Sequence, residues 1–177
     1  MLKKFVLFAN TISNITGRSI AWLTLVMMVI TCLIVVLRYG FQYGSIALQE
    51  SVVYLHALVF MLGAAYTMSK DEHVRVDVFY RNFSAKRKAW VNLVGSLIFL
   101  LPVTLYTFYL SMDYVAVSWR VMETSPEPGG LPFVYLLKTL IPIMMISLLL
   151  QGLADVVSNL AVILNLSTTE SKENTHD

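Results

Sequence analysis

The chain has 177 residues, of which 57% are hydrophobic and only 14% charged, with a formal net charge of +2. A mean hydropathy of +0.69 on that composition excludes a soluble globular domain and describes a protein whose main solvent is lipid. It excludes a nucleic-acid binder as well: no basic domain is interleaved with aromatics, and the bases fall near the ends of apolar runs, where they set topology and meet the anionic headgroups of membrane lipids.

Leu2, Phe5, Val6, Phe8, Ala9 and Ile12 set an apolar face against Lys3, Lys4, Asn10 and Asn14. That is the pattern of an amphipathic helix lying in the membrane interface, with a short frayed terminus as the alternative. Apolar runs of about 18 or more residues cross about 30 Å of hydrocarbon as helices, and four follow, over about 19–37, 46–68, 90–117 and 131–154. The first follows Lys3, Lys4 and Arg18, as the core of a signal peptide would. It is longer than such a core, and Arg38 and Tyr39 come after it without a small-residue cleavage pattern, so it is expected to stay as an anchor.

Between the second and third spans lies His73 to Phe83, HVRVDVFYRNF, which divides the chain into two hairpins. Here Val74, Val76, Val78 and Tyr80 alternate with Arg75, Asp77, Phe79 and Arg81. An open strand edge is unstable in lipid, so an interfacial helix or an extended segment at headgroup depth is expected. The polar, proline-free tail 167–177 is expected to be disordered. The reading is an all-α integral membrane protein: one domain over 1–166 with four transmembrane helices and interfacial amphipathic segments.

Lys and Arg near span ends are retained on the cytoplasmic side. Lys3, Lys4 and Arg18 precede the first span, and Lys70, Arg75, Arg81, Lys86, Arg87 and Lys88 lie between the second and third; Arg38, Arg120 and Lys138 fall toward the other side. Both termini are therefore expected to be cytoplasmic.

Few side chains in the spans suggest chemistry. Cys32 is the only cysteine, which rules out an intramolecular disulfide and a thiol relay and leaves it the role of a small apolar packing residue. His56 is the only histidine within a span; a haem or metal site would recruit a second ligand from the bundle, so His56 is read as a hydrogen-bonding residue between helices. Glu50, near the start of the second span, is costly in lipid unless it pairs, faces water or is protonated. Pairing with Arg38 across the short hairpin, contact with a partner subunit, and ion or proton handling are the three options.

Asp113 and Arg120, seven apart, share a helical face; with Glu123 they form either an exposed extension of the third span or a docking surface. Lys138 is expected to snorkel outward, and Asp155 to mark where the fourth span leaves the core. Gly63, Ala64, Ala65 and Thr67, and Gly95 with Ser96, offer small surfaces for close helix approach. Pro102 and Pro142 are expected to kink their spans, and Trp22, Trp90 and Trp119 to anchor span ends in the interface. There is no P-loop, no Cys/His cluster, no Ser/His/Asp set and no inverted pair of broken helices that would build a transport site, so the chain is read as no enzyme.

Taken in order, Arg38-Tyr39 closing the first span, Glu50 opening the second, Gly63-Ala64-Ala65 near its other end, His73-Val74-Arg75-Val76-Asp77 in the loop, and Leu131-Pro132 followed by Pro142 resemble the small membrane subunit, the DctQ-type component, of tripartite ATP-independent periplasmic (TRAP) transporters. The resemblance covers residues 15–160; Ala47 departs from it, since an aromatic often stands shortly before the acid in that family. It implies a multi-pass scaffold of the bacterial cell inner membrane, beside a large membrane subunit that holds the substrate and sodium sites. A periplasmic substrate-binding protein would deliver an organic acid or related solute, and this chain would bind no cofactor of its own. The residues then expected at structural or partner interfaces are Arg38, Glu50, Gly63, His73, Arg75, Asp77, Asp113, Arg120 and Pro132. The competing reading is an independent oligomeric carrier or channel of four helices, with Glu50 as its acid.

Overall fold

Residues 2–70 and 83–164 are described by a computed structural model. Within them the chain is helical: α1 (Leu2–Gly40), α2 (Ile46–Ser69), α3 (Ala85–Gly95), a π-helical turn (Ser96–Leu100), α4 (Leu101–Arg120) and α5 (Val134–Ile163). α3, the π turn and α4 run on as one 36-residue span, Ala85–Arg120, so four helices are long and apolar enough to cross a membrane.

α1 departs from expectation. Instead of an interfacial helix followed by a span, its 39 residues are unbroken, about 58 Å at 1.5 Å per residue against about 30 Å of hydrocarbon. Gly17, the natural breaking point, stays helical because its missing side chain is where Tyr66 of α2 packs: a Cβ there would collide with the Tyr66 ring and lie 2.8 Å from the Tyr66 Cβ. The third span begins five residues earlier than expected and the fourth helix extends nine residues further, to Ile163.

The π turn has a local cause. Pro102 has no N–H and its ring clashes with the carbonyl four residues before it. The turn ahead of it widens, and the Leu101 N–H reaches back five residues to the Ser96 carbonyl, a bulge that absorbs the misfit without ending the helix. Pro142 lies inside α5, which continues through it.

Packing places α5 at the centre, against α1, α2, α3, the π turn and α4. Its most apolar stretch is 39% buried, whereas the corresponding stretches of α1 and α2 are 6% buried; α5 is the hub, and α1 and α2 carry broad exposed outer faces. The core is small: Ala65 of α2 meets Met145 and Leu148 of α5, with Ala64, Met68, Phe108 and Met144 around them. Gly63 lets α1 approach, its Cβ position lying 3.4 Å from Ile20 Cδ1. In lipid such contacts act through close packing and hydrogen bonds more than through water exclusion.

The thin cover on α1 and α2 leaves two singled-out residues on the outside of this chain. Cys32 is exposed on α1 and does not pack inside. His56 is exposed on α2, stacked beside Phe60 with ring centroids 6.4 Å apart. The expectations for His73, Arg75 and Asp77, and for the tail 167–177, lie outside the described residues.

Candidate functional site

The antiparallel order of the spans brings the α1–α2 and α4–α5 connections to one end of the bundle, and polar side chains collect there. α4 closes with Met122 at φ 47, the Met122 N–H on the Trp119 carbonyl (3.2 Å) and the Glu123 N–H on that of Ser118 (3.0 Å), a Schellman-type end that turns the chain sharply away. The loop that follows, Thr124-Ser125-Pro126-Glu127-Pro128-Gly129-Gly130-Leu131, folds back on itself. Ser125 N–H donates to the Leu131 carbonyl at 3.1 Å, Gly130 N–H to that of Glu127 at 3.0 Å, and Glu127 N–H to Ser125 Oγ at 3.1 Å.

Glu50 holds the neck of this loop. The Ser125 hydroxyl donates to Glu50 Oε1, and the Leu131 N–H donates to Oε2 at 2.6 Å. One carboxylate thus binds both strands of the neck, and Gly130 leaves the space for it, since a Cβ there would collide with Ser125 and lie 2.8 Å from Glu50 Oε1. Ser45 sets the helix that carries the acid: its Oγ accepts the Leu48 N–H at 3.4 Å as an N-cap.

The expected pairing of Glu50 with Arg38 is not what forms. Arg38 is exposed at the end of α1, and the reason is helical phase. Gly63 marks the face of α2 that meets α1. Glu50, thirteen residues earlier, points about 140° away from that face at 3.6 residues per turn, toward α5 and its loop.

Beside this clamp, Lys138 of α5 reaches Glu123 Oε2 at 2.5 Å with its ammonium 4.0 Å from the centre of the Tyr114 ring, a cation–π contact. The direction is the one expected of a snorkelling lysine, and its partner is a loop acid. The Lys138 hydrogen bond holds the Glu123 carboxyl below its ordinary value. Trp119 joins the same ends: its Nε1 donates to Thr139 Oγ1 at 2.9 Å, and its ring meets Tyr135 edge-on at 4.8 Å. Asp113 and Arg120 are both exposed on α4, outside the clamp, and Pro132 is exposed beside it.

The opposite end carries a buried polar network that the sequence reading did not anticipate. Gln151 of α5 is 1% exposed. Its Oε1 accepts from Ser13 Oγ at 3.0 Å, and its Nε2 donates to Asn10 Oδ1 at 3.0 Å and Asp155 Oδ1 at 3.3 Å. Gln151 could have been found from its chemistry, an amide in an apolar run that needs partners in the bundle; Ser125 and Leu131 could not, because the loop's conformation creates their geometry.

Among the described residues no group of three or more His, Cys, Asp or Glu side chains is placed to hold a metal ion. The clamp binds protein to protein: the Glu50 oxygens are engaged by a hydroxyl and a backbone amide, which fits a fixed joint between two hairpins.

The family model described as tripartite ATP-independent periplasmic transporters, DctQ component, matches residues 27–162. That stretch contains Glu50, the whole α4–α5 loop and Gln151. No curated protein and no solved structure matches the chain.

Proposed function

The chain belongs to the DctQ component family of tripartite ATP-independent periplasmic transporters, and on that premise we propose that it is a static scaffold for a large membrane subunit that performs sodium-coupled uptake. A periplasmic protein delivers the solute, an organic acid or a related compound, and the large subunit holds the solute and sodium sites. The complex resides in the bacterial inner membrane.

The observation that carries the scaffold role is the use of both Glu50 oxygens to close the α4–α5 loop. An acid that carries ions must exchange partners during a cycle; this one fastens one hairpin to the other. A second feature supports a membrane partner. Gln49, Val53, His56 and Phe60 form an exposed stripe on α2, and His56 lies ten residues, about 15 Å, inside that helix. Polar groups at that depth face a protein or a water-filled cavity, not lipid chains, so the stripe suits a helix of the large subunit with a hydrogen-bonding group opposite His56.

The distribution of Lys and Arg supports cytoplasmic termini. The clamp and the Glu123–Lys138 pair then lie on the periplasmic side, where the binding protein docks on the complex, with exposed Asp113 and Arg120 near that surface.

The test is uptake into proteoliposomes holding the large subunit and the binding protein, with and without this chain. Sodium-dependent uptake that requires the chain is the expected result. Equal uptake without it, or uptake by this chain alone, overturns the scaffold role; the latter establishes the independent carrier.

A further inference from the structure

Gly95, read from sequence as a point of close helix approach, instead opens a space: a Cβ built on it meets nothing within 4 Å. It heads a surface groove of about 410 Å³ bounded by Gly95, Phe99, Val103 and Thr107 on the third span and by Met145 and Leu148 of α5. Thr104 also lines the groove, and its hydroxyl is turned back to the carbonyls of Leu100 and Leu101, at 2.7 and 3.1 Å, which keeps that part of the wall apolar.

The length of the groove identifies what fits it. From Gly95 to Thr107 is about 18 Å at 1.5 Å per residue, a little more than half of the about 30 Å hydrocarbon core. That is the reach of an acyl chain from one leaflet, whereas a partner's transmembrane helix would run the full thickness. Charge at the mouth identifies the headgroup. Lys88 lies seven residues, two turns, before Gly95 and within about 20° of the same helical face, and Arg87 is exposed beside it. Two turns is about 10 Å, which sets these bases at headgroup depth when a chain occupies the groove, where each is attracted to anionic lipid.

We propose that this groove is a site for one anionic phospholipid, its acyl chain lying from Gly95 to Thr107 and its phosphodiester held by Arg87 and Lys88. The site depends on the membrane placement of the third span and not on the identity of any partner.

The experiment places the full chain in nanodiscs of equimolar phosphatidylglycerol and phosphatidylcholine and counts retained lipids by native mass spectrometry. In parallel, phosphatidylglycerol bearing a diazirine on its acyl chain maps the contact on the unaltered chain. One phosphatidylglycerol retained in preference to phosphatidylcholine, with adducts at Phe99–Val103, is expected. Gly95→Leu lowers retention about tenfold, the effect of excluding about two methylenes from burial; Arg87→Gln with Lys88→Gln removes the headgroup preference and leaves chain insertion. No preference in the unaltered chain, adducts scattered over the lipid-facing surface, or unchanged retention in Gly95→Leu overturns the site. Should Gly95→Leu not fold, the adduct map on the unaltered chain decides.

Discussion

Replacing Gln151 with Leu keeps its approximate volume and removes the polar link between α5 and α1. The side chain is almost fully buried, so no water compensates, and two interhelical hydrogen bonds at 3.0 Å, to Ser13 and Asn10, are lost. Such bonds in membrane proteins contribute about 0.6 kcal/mol on average and about 1.7 at most, which puts the loss at about 1 to 3 kcal/mol. The Ser13 hydroxyl can fall back on a carbonyl of its own helix, which favours the lower half of that range. The assay is reversible unfolding in mixed micelles, with Ser13→Ala and the double variant completing a cycle. A coupling of about 0.6 kcal/mol or more between the two sites is expected. Strict additivity, or a Gln151→Leu variant as stable as the original, refutes the reading that this network joins α1 to the hub.

Two glycines that a composition count treats alike are expected to separate. Gly17→Ala drives a methyl into the Tyr66 ring and its Cβ, near the backbone where little can yield, and should lower stability by about 1 to 3 kcal/mol. Gly152→Ala meets the Leu100 Cδ2 tip at 2.6 Å, which can rotate away, and thermal unfolding should show the smaller loss; the reverse order contradicts the packing described. Glu50→Gln cannot accept with two carboxylate oxygens, so the Leu131 and Ser125 amides should exchange hydrogen faster while the spans stay protected; unchanged exchange would remove the clamp from the account. The Glu123 carboxyl is held below its ordinary value of about 4.5 by Lys138, so its contribution is fully present above that value and is lost as pH falls through the lowered one. Proteolysis of the 121–133 loop should therefore be constant across the neutral range and rise as pH falls through the lowered value, and Glu123→Gln should shrink that acid-side rise, leaving the part that comes from protonating the Glu50 clamp.

The four spans were legible because lipid imposes one simple rule, a long apolar run, and the third span keeps it even across the π turn at Pro102. Their ends were less so: α1 runs back to Leu2 because Tyr66 packs over Gly17, a tertiary contact with no sequence marker. Glu50 stood out as an acid in an apolar setting, yet its partner was misjudged. Arg38 is near in the chain, but the phase of α2 turns the acid toward α5, and its true partners are a hydroxyl and a backbone amide presented by a folded loop. Gly95 illustrates the converse. A small residue in a span reads as a contact point, and only the neighbouring helices decide whether it is filled or left open.

Whether this chain serves a larger membrane protein is decided by purifying the tagged chain from its native membranes in mild detergent and determining the mass of the intact particle. A near-stoichiometric complex with a TRAP large membrane subunit, loosened by His56→Leu on the exposed α2 stripe, is expected. A stable homo-oligomer of this chain without that subunit would contradict it.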